Sequence, residues 1–87
     1  MKLFRISQGV NNDYATYDSA VVCAESAEQA RDIHPGRYVE HPIDWEKAAN
    51  ERYSAWCWHR DEVCVEEVGE AAPSTKPGVV VASFNAG

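Results

Sequence analysis

The chain has 87 residues, a net charge of −6 and 45% hydrophobic residues. This length supports one modest hydrophobic core, so we expect a single domain over residues 1–87. The composition is that of a folded globular protein, and no apolar run approaches the ~18 residues that a membrane span needs. The first five residues turn polar without the apolar stretch of a secretory signal, which predicts a cytosolic protein.

The negative charge is concentrated in the middle of the chain. Residues 40–70 contain nine acidic and three basic side chains, and this segment alone carries a charge of −6. An acidic surface repels phosphate groups, which argues against direct binding of nucleic acid or of an anionic membrane. Such a surface suits a basic protein partner, although solubility alone also explains it.

The first predicted elements form a β-hairpin. Residues Lys2–Gln8 alternate, with Phe4 and Ile6 on one face of a strand. Gly and Asn residues at 9–13 are typical of a turn, and the apolar run Ala20–Ala24 predicts the second strand. Cys23 lies inside this run, so we expect it to be a small buried hydrophobic residue.

Two helices are predicted after the hairpin. The sequence Ser26-Ala27-Glu28-Gln29 is a capping box, so a short helix should extend from residue 27 to about residue 33, where Pro35-Gly36 ends it. His34 is expected to cap the C-terminus of this helix. A second helix is predicted within residues 44–56, because Asp44 is a suitable N-cap.

The last two predicted elements are strands. Val63–Gly69 predicts a strand with Val63 and Val65 facing the core and a bulge near Glu66-Glu67. Val79–Phe84 is apolar almost throughout, which predicts a central strand, and the intervening loop allows these two strands to form a hairpin. The predicted fold class is α+β: an antiparallel or mixed sheet of about four strands, with the first helix on one face.

The residues Cys57, His59 and Cys64 are the best candidates for a metal or thiol site. Zinc needs four ligands, and His41 would have to supply the fourth because the chain has no second close pair. A nucleophilic Cys57 beside His59 would lack a third residue to orient the base. We therefore predict no metal, no cofactor and no catalytic residue, with a small metal- or thiol-dependent enzyme as an alternative.

The most distinctive pattern is a pair of tryptophans followed by acidic residues. Tryptophan is enriched at interaction hot spots, and aromatic rings flanked by carboxylates can dock onto a basic groove. Packing of both tryptophans in the core is the other interpretation, although a small core does not obviously need all three tryptophans of this chain. The predicted partner-binding residues are Trp56, Trp58, Glu62, Glu66, Glu67 and Glu70.

Three stretches resemble known proteins. They are the opening MKLFRISQ, the stretch TYDSAVVCAE with the later Ala30-Arg31 and Ile33-His34-Pro35, and the closing GVVVASFNAG. Together they cover about half of the chain and resemble small uncharacterised proteins encoded by phages and prophages. The resemblance implies no activity and no catalytic residues. By analogy, small acidic phage proteins often inhibit host machinery, as anti-CRISPR proteins do on basic surfaces that hold nucleic acid.

These observations lead to one functional hypothesis and one main alternative. The hypothesis is that the protein is a non-enzymatic, phage-derived inhibitor that acts in the bacterial cytoplasm. Its acidic face would occupy a basic surface of a nucleic-acid-targeting defence complex, such as a CRISPR-type effector. The alternative is an accessory or structural phage protein that self-associates through an exposed strand edge. The sequence leaves the oligomeric state open.

Overall fold

The computed structural model describes residues 1–12, 15–36, 42–51 and 55–85. It shows an α+β fold, as predicted, in which short helices accompany one four-stranded antiparallel sheet. No helix among these residues is long and apolar enough to cross a membrane. In chain order, the elements are β1 (Lys2–Ser7), β2 (Thr16–Ala24), α1 (Ala27–Arg31), α2 (Trp45–Glu51), a 3₁₀ helix (Arg60–Glu62), β3 (Cys64–Glu70) and β4 (Gly78–Asn85).

The predicted hairpin of β1 and β2 forms the centre of the sheet. Phe4 lies opposite Val22, and Ile6 lies opposite Ala20, so these four buried residues share the face that packs in the core. Strand β2 begins at Thr16, before the apolar run that starts at Ala20, because the polar residues that precede this run also pair with neighbouring strands. Cys23 is buried, as predicted, but it follows Val22 and therefore lies on the opposite face of β2.

The order of the strands is β3-β1-β2-β4, which corrects the expected position of the last strand. Strand β4 lies at an edge, so its predicted central position is wrong. Strands β3 and β4 lie at opposite edges, so the hairpin that the length of their connecting loop allowed does not form. An apolar run predicts burial on both faces, yet Val80 and Val81 are exposed because β1 and β2 already occupy the centre.

The bulge in β3 lies close to its predicted place. Phe4 pairs with Glu67 while Leu3 pairs with Gly69, so Val68 is an extra residue in the edge strand. The strand also keeps its predicted orientation, because Val65 packs against the core.

Helix α1 begins as its capping box predicts. The Ser26 hydroxyl accepts a hydrogen bond from the Gln29 amide at 3.1 Å, and the Gln29 side chain accepts one from the Glu25 amide at 2.6 Å. The helix ends two residues before its predicted end, with Asp32 as the C-cap residue. His34 instead accepts a hydrogen bond from the Gly36 amide at 2.9 Å, in the turn that follows.

Helix α2 confirms the second predicted helix. The carboxylate of Asp44 accepts a hydrogen bond from the Lys47 amide at 3.1 Å, which is an N-cap interaction. The predicted extension through residues 52–54 lies outside the described residues, as does His41. Residues 55 and 56, at the end of the predicted segment, are not helical.

The core lies on one side of the sheet. Residues from α1 and from the segments on either side of the 3₁₀ helix, notably Ala30, Trp56 and Val63, pack there against β1 and β2. Trp45 of α2 also packs against this core. The described helices therefore lie on this side, and the other face of the sheet, which carries Arg5 and Val81, is called the open face below.

Candidate functional site

The structure places Trp56 in the core rather than on the surface. Its side chain is 0% exposed, so its predicted role as a surface anchor is wrong. Its segment is held by two hydrogen bonds: the Tyr17 amide donates to the Ala55 carbonyl at 2.9 Å, and the Asn11 side chain donates to the Trp56 carbonyl at 2.9 Å. These bonds anchor the backbone beside Trp56, and the buried ring packs in the core, so the residue supports the fold.

Glu62 organises the loop before β3. One oxygen of its carboxylate accepts hydrogen bonds from the backbone amides of Trp58 at 3.1 Å and His59 at 2.9 Å. These bonds satisfy amides at the start of the 3₁₀ helix. Because this oxygen is engaged within the loop, Glu62 serves the local structure, and the half-buried Trp58 is fixed beside it.

The remaining predicted glutamates lie along the edge strand β3. Glu66, Glu67 and Glu70 are all exposed, but they do not form one acidic face. Glu66 pairs with Arg5 on the open face, whereas Glu67 lies opposite Phe4 on the core face and forms an ion pair with Lys2 at 3.3 Å. That these glutamates bind a partner stays a prediction. The surface that they form is the acidic edge of β3, and not one acidic face of the sheet.

The candidate thiol site has unsuitable chemistry at Cys57. The residue is buried, and its sulfur lies 3.7 Å from the carbonyl oxygen of His59. Burial, with a smaller effect from the Glu62 carboxylate, raises the pKa of Cys57 to about 12, which disfavours the thiolate that a nucleophile needs. Among the described residues, no group of three His, Cys, Asp or Glu side chains is arranged to hold a metal ion.

The three cysteines should differ sharply in reactivity. We expect an excess of a thiol-specific chromogenic disulfide at pH 8 to modify only Cys64 rapidly in the native protein, because Cys23 and Cys57 are buried. All three should react after unfolding in urea. Absorbance measures the thiols released, and Cys64→Ser should lose the rapid phase. A second rapid equivalent in the native protein would contradict the burial of Cys57.

A charged network joins elements that are distant in the sequence. One carboxylate oxygen of Asp32 accepts hydrogen bonds from Trp45 Nε1 and from Arg60 Nε, each at 2.8 Å. Arg60 also contacts the Glu28 carboxylate at 2.8 Å, and this contact lowers the pKa of Glu28 below its ordinary value. The network joins the end of α1 to α2 and to the 3₁₀ helix. No local pattern could reveal it, since Asp32 and Arg60 are 28 positions apart.

Sequence reasoning missed the exposed apolar edge of β4. Val80, Val81 and Phe84 are 53%, 59% and 48% exposed. Strand β4 pairs with β2 on one side, and within the described residues it has no strand on the other. Its sequence, GVVVASFN, contains no ionisable side chain although 25% of the chain is charged. That absence of charge was the signal available in the sequence.

The two edges of the sheet differ in how they discourage strand pairing. Charged side chains and bulges protect an edge against pairing with another chain. Strand β3 has both, with three glutamates in seven residues and the bulge at Val68. Strand β4 also has an extra residue, at Val80, and its pairing with β2 has a second register shift between Tyr17 and Ser19. It carries no charge, however, and its pairing with β2 is regular from Val81 to Ser83. Strand β4 is therefore the less protected edge.

Comparisons with known proteins do not assign a family. No family model matches the chain, and no curated protein or solved structure shows significant similarity to it. The resemblance to phage-encoded proteins stays a prediction.

Proposed function

We propose that the protein is a non-enzymatic protein-binding module and that β4 is its contact strand. The observation that carries the proposal is an eight-residue edge strand without charge, on which Val81 is 59% exposed. The outer edge of such a strand presents backbone N–H and C=O groups that can pair with an added strand. In this mode, main-chain hydrogen bonds provide affinity and alternate side chains provide specificity.

The position of Val81 adds to this argument. It pairs with Val21 on the open face, so two apolar side chains lie side by side near the free edge. A partner strand laid along β4 would remove the exposed part of Val81 from water, at roughly 25 cal/mol for each Å² of apolar surface. Exposed apolar surface at a free strand edge is a liability for a protein that binds nothing, and it favours a binding role.

A second candidate function uses the acidic edge of β3. The exposed carboxylates of Glu66 and Glu70 lie on this strand, with Asp61 in the 3₁₀ helix that precedes it. This edge would attract a basic protein surface, and the proposed setting is a phage-derived inhibitor that binds a CRISPR-type effector in the bacterial cytoplasm. Complementary charge mainly accelerates association, and salt weakens its effect.

A pull-down from bacterial lysate would test the two edges against each other. The baits are the wild type, Val81→Lys, Val68→Lys and the double variant Glu66→Lys/Glu70→Lys. Val68 is a matched control, because it is also an exposed valine but lies on the opposite edge strand. An untagged copy of this chain is produced in the same cells, so that the bait can capture either a second copy or another protein. We expect whatever binds β4, identified by mass spectrometry, to be retained by Val68→Lys and lost by Val81→Lys.

Washing the captured proteins with high salt distinguishes binding at the acidic edge of β3 from binding at β4. Proteins that leave in high salt and are lost by Glu66→Lys/Glu70→Lys would support the acidic edge. Partners that bind all four baits equally would contradict both candidate surfaces. Circular dichroism of each variant checks that the fold is unchanged.

A further inference from the structure

We infer that the occupant of the β4 edge is a second copy of this chain, paired antiparallel through β4 across a two-fold axis. This inference rests on the proposed function and names its partner. The two sheets would join into one sheet of eight strands with the order β3-β1-β2-β4-β4-β2-β1-β3. The acidic β3 strands would lie at its two outer edges.

The distribution of charge selects β4 for pairing with itself. In a two-fold antiparallel pair, each strand meets its own sequence in reverse, so a charged side chain near the centre lies close to its own like-charged copy. Like charges opposite each other destabilise strand pairs. Strand β3 would bring six glutamates together, whereas Gly78–Asn85 would bring none. The net charge of −6 opposes association of two copies in general, and β4 is the edge strand that adds no charge of its own at the contact.

A second copy also supplies the kind of strand that β4 requires. A strand beside Val81 must itself be extended, apolar and uncharged, and β4 has all three properties. Pairing would place the Val21–Val81 pairs of both copies in one apolar strip across the joined open faces.

The core side of β4 contributes a second contact. The rings of Phe84 and Tyr17 lie 4.7 Å apart between centroids, and Phe84, on the edge strand, remains 48% exposed. A paired copy would cover part of this ring. Both faces of the joined sheet would therefore lose exposed apolar surface on pairing, which is the driving force for association.

The size of the edge sets the expected strength of the pair. A stable interface buries about 800 Å² on each partner, and the whole protein exposes 5490 Å². Eight residues of strand extend over only about 27 Å, with Val80, Val81 and Phe84 as the large exposed side chains. We therefore expect a dimer that dissociates at micromolar concentration.

Sedimentation velocity of the untagged protein tests this inference. The protein concentration is varied from about 1 to 300 µM, a range that brackets a micromolar dissociation constant. The mass of the wild type should rise with concentration from 9.7 kDa to twice that value and no further, because the charged β3 edges do not pair. Val81→Lys should raise the dissociation constant at least about tenfold, which corresponds to 1.4 kcal/mol. Val68→Lys should leave it unchanged.

Hydrogen exchange of the wild type provides a second readout that needs no variant. Pairing should slow the exchange of amides in β4 at high protein concentration relative to low concentration, while amides in β3 keep their rates.

Several outcomes would overturn the inference. A wild type that stays monomeric over the whole range excludes the second copy as the occupant. Growth beyond two copies excludes a closed two-fold pair, and equal effects of Val81→Lys and Val68→Lys exclude β4 as the contact. If the protein is monomeric but a lysate protein depends on Val81, the proposed function remains and only its partner changes. If neither self-association nor the binding of a lysate protein depends on Val81, the proposed function and this inference are both wrong.

Discussion

Replacing Trp56 with alanine is expected to lower the free energy of unfolding by about 3–5 kcal/mol. The side chain is fully buried in the core, so the change removes the largest buried side chain and leaves a cavity. A small domain has a total stability of about 5–15 kcal/mol, so this loss would be a large share of the total. Urea titration followed by far-ultraviolet circular dichroism measures the loss without depending on tryptophan fluorescence.

Two further variants separate the causes of this loss. Trp56→Phe keeps an aromatic ring and removes a buried Nε1 that has no hydrogen-bond acceptor among the described residues, so we expect less than half the loss. Trp58→Ala should also cost less, because Trp58 is only half-buried. If Trp56→Ala cost less than about 1 kcal/mol, the residue would not be a core residue of this kind, and its predicted role as a surface anchor would return.

Replacing Gln8 with alanine is expected to cost about 2–4 kcal/mol, through buried backbone groups left without partners. The Gln8 side chain is 6% exposed and makes four hydrogen bonds to the backbone around the β1–β2 connection. It accepts from the amides of Val10 at 3.0 Å and Asn11 at 2.8 Å. It donates to the carbonyls of Asn11 and Tyr17, both at 2.8 Å. Thermal and urea unfolding of the variant measure the cost.

The variant Gln8→Glu tests whether hydrogen bonding or packing causes this loss. A glutamate has nearly the same shape, but at neutral pH its carboxylate would face two carbonyl oxygens instead of donating to them. The folded state would then raise the pKa of this group, so the deficit relative to wild type should shrink as the pH falls and the carboxyl becomes protonated. A deficit that does not change with pH would indicate packing alone.

Gln29 provides the matched control for Gln8. Its side chain is exposed, and its oxygen accepts a hydrogen bond from the Glu25 amide. We expect Gln29→Ala to cost less than about 1 kcal/mol, because water can replace that bond at the surface. Equal losses at the two positions would contradict the assigned difference in burial.

The features that sequence patterns predicted correctly depend on near neighbours in the chain. Alternation placed Phe4 and Ile6 on one buried face, because successive strand residues point to opposite sides. The capping box located the start of α1, because Ser26 and the amide that it binds are three positions apart. The N-cap at Asp44 located α2 for the same reason.

The candidate site was predicted less well, because exposure depends on which elements are neighbours. Trp56 and Trp58 are two positions apart in an acidic segment, yet one is fully buried and the other half-buried. The glutamates of β3 were expected on one face, but Glu66 and Glu67 lie on opposite faces of an edge strand. The apolar run of β4 has the same local pattern whether the strand is central or at an edge, so its exposed valines were missed.

The sequence by itself determined the α+β class, the approximate positions of the two α-helices and the four strands, and the residues of β1 and β2 that face the core. These features follow from short-range periodicity and capping. Only the tertiary structure decided the order of the strands, the burial of Trp56, the joining of α1 to the 3₁₀ helix through Asp32 and Arg60, and the free edge at β4. The physical reason is that each of these depends on contacts between residues far apart in the chain, which no local pattern encodes.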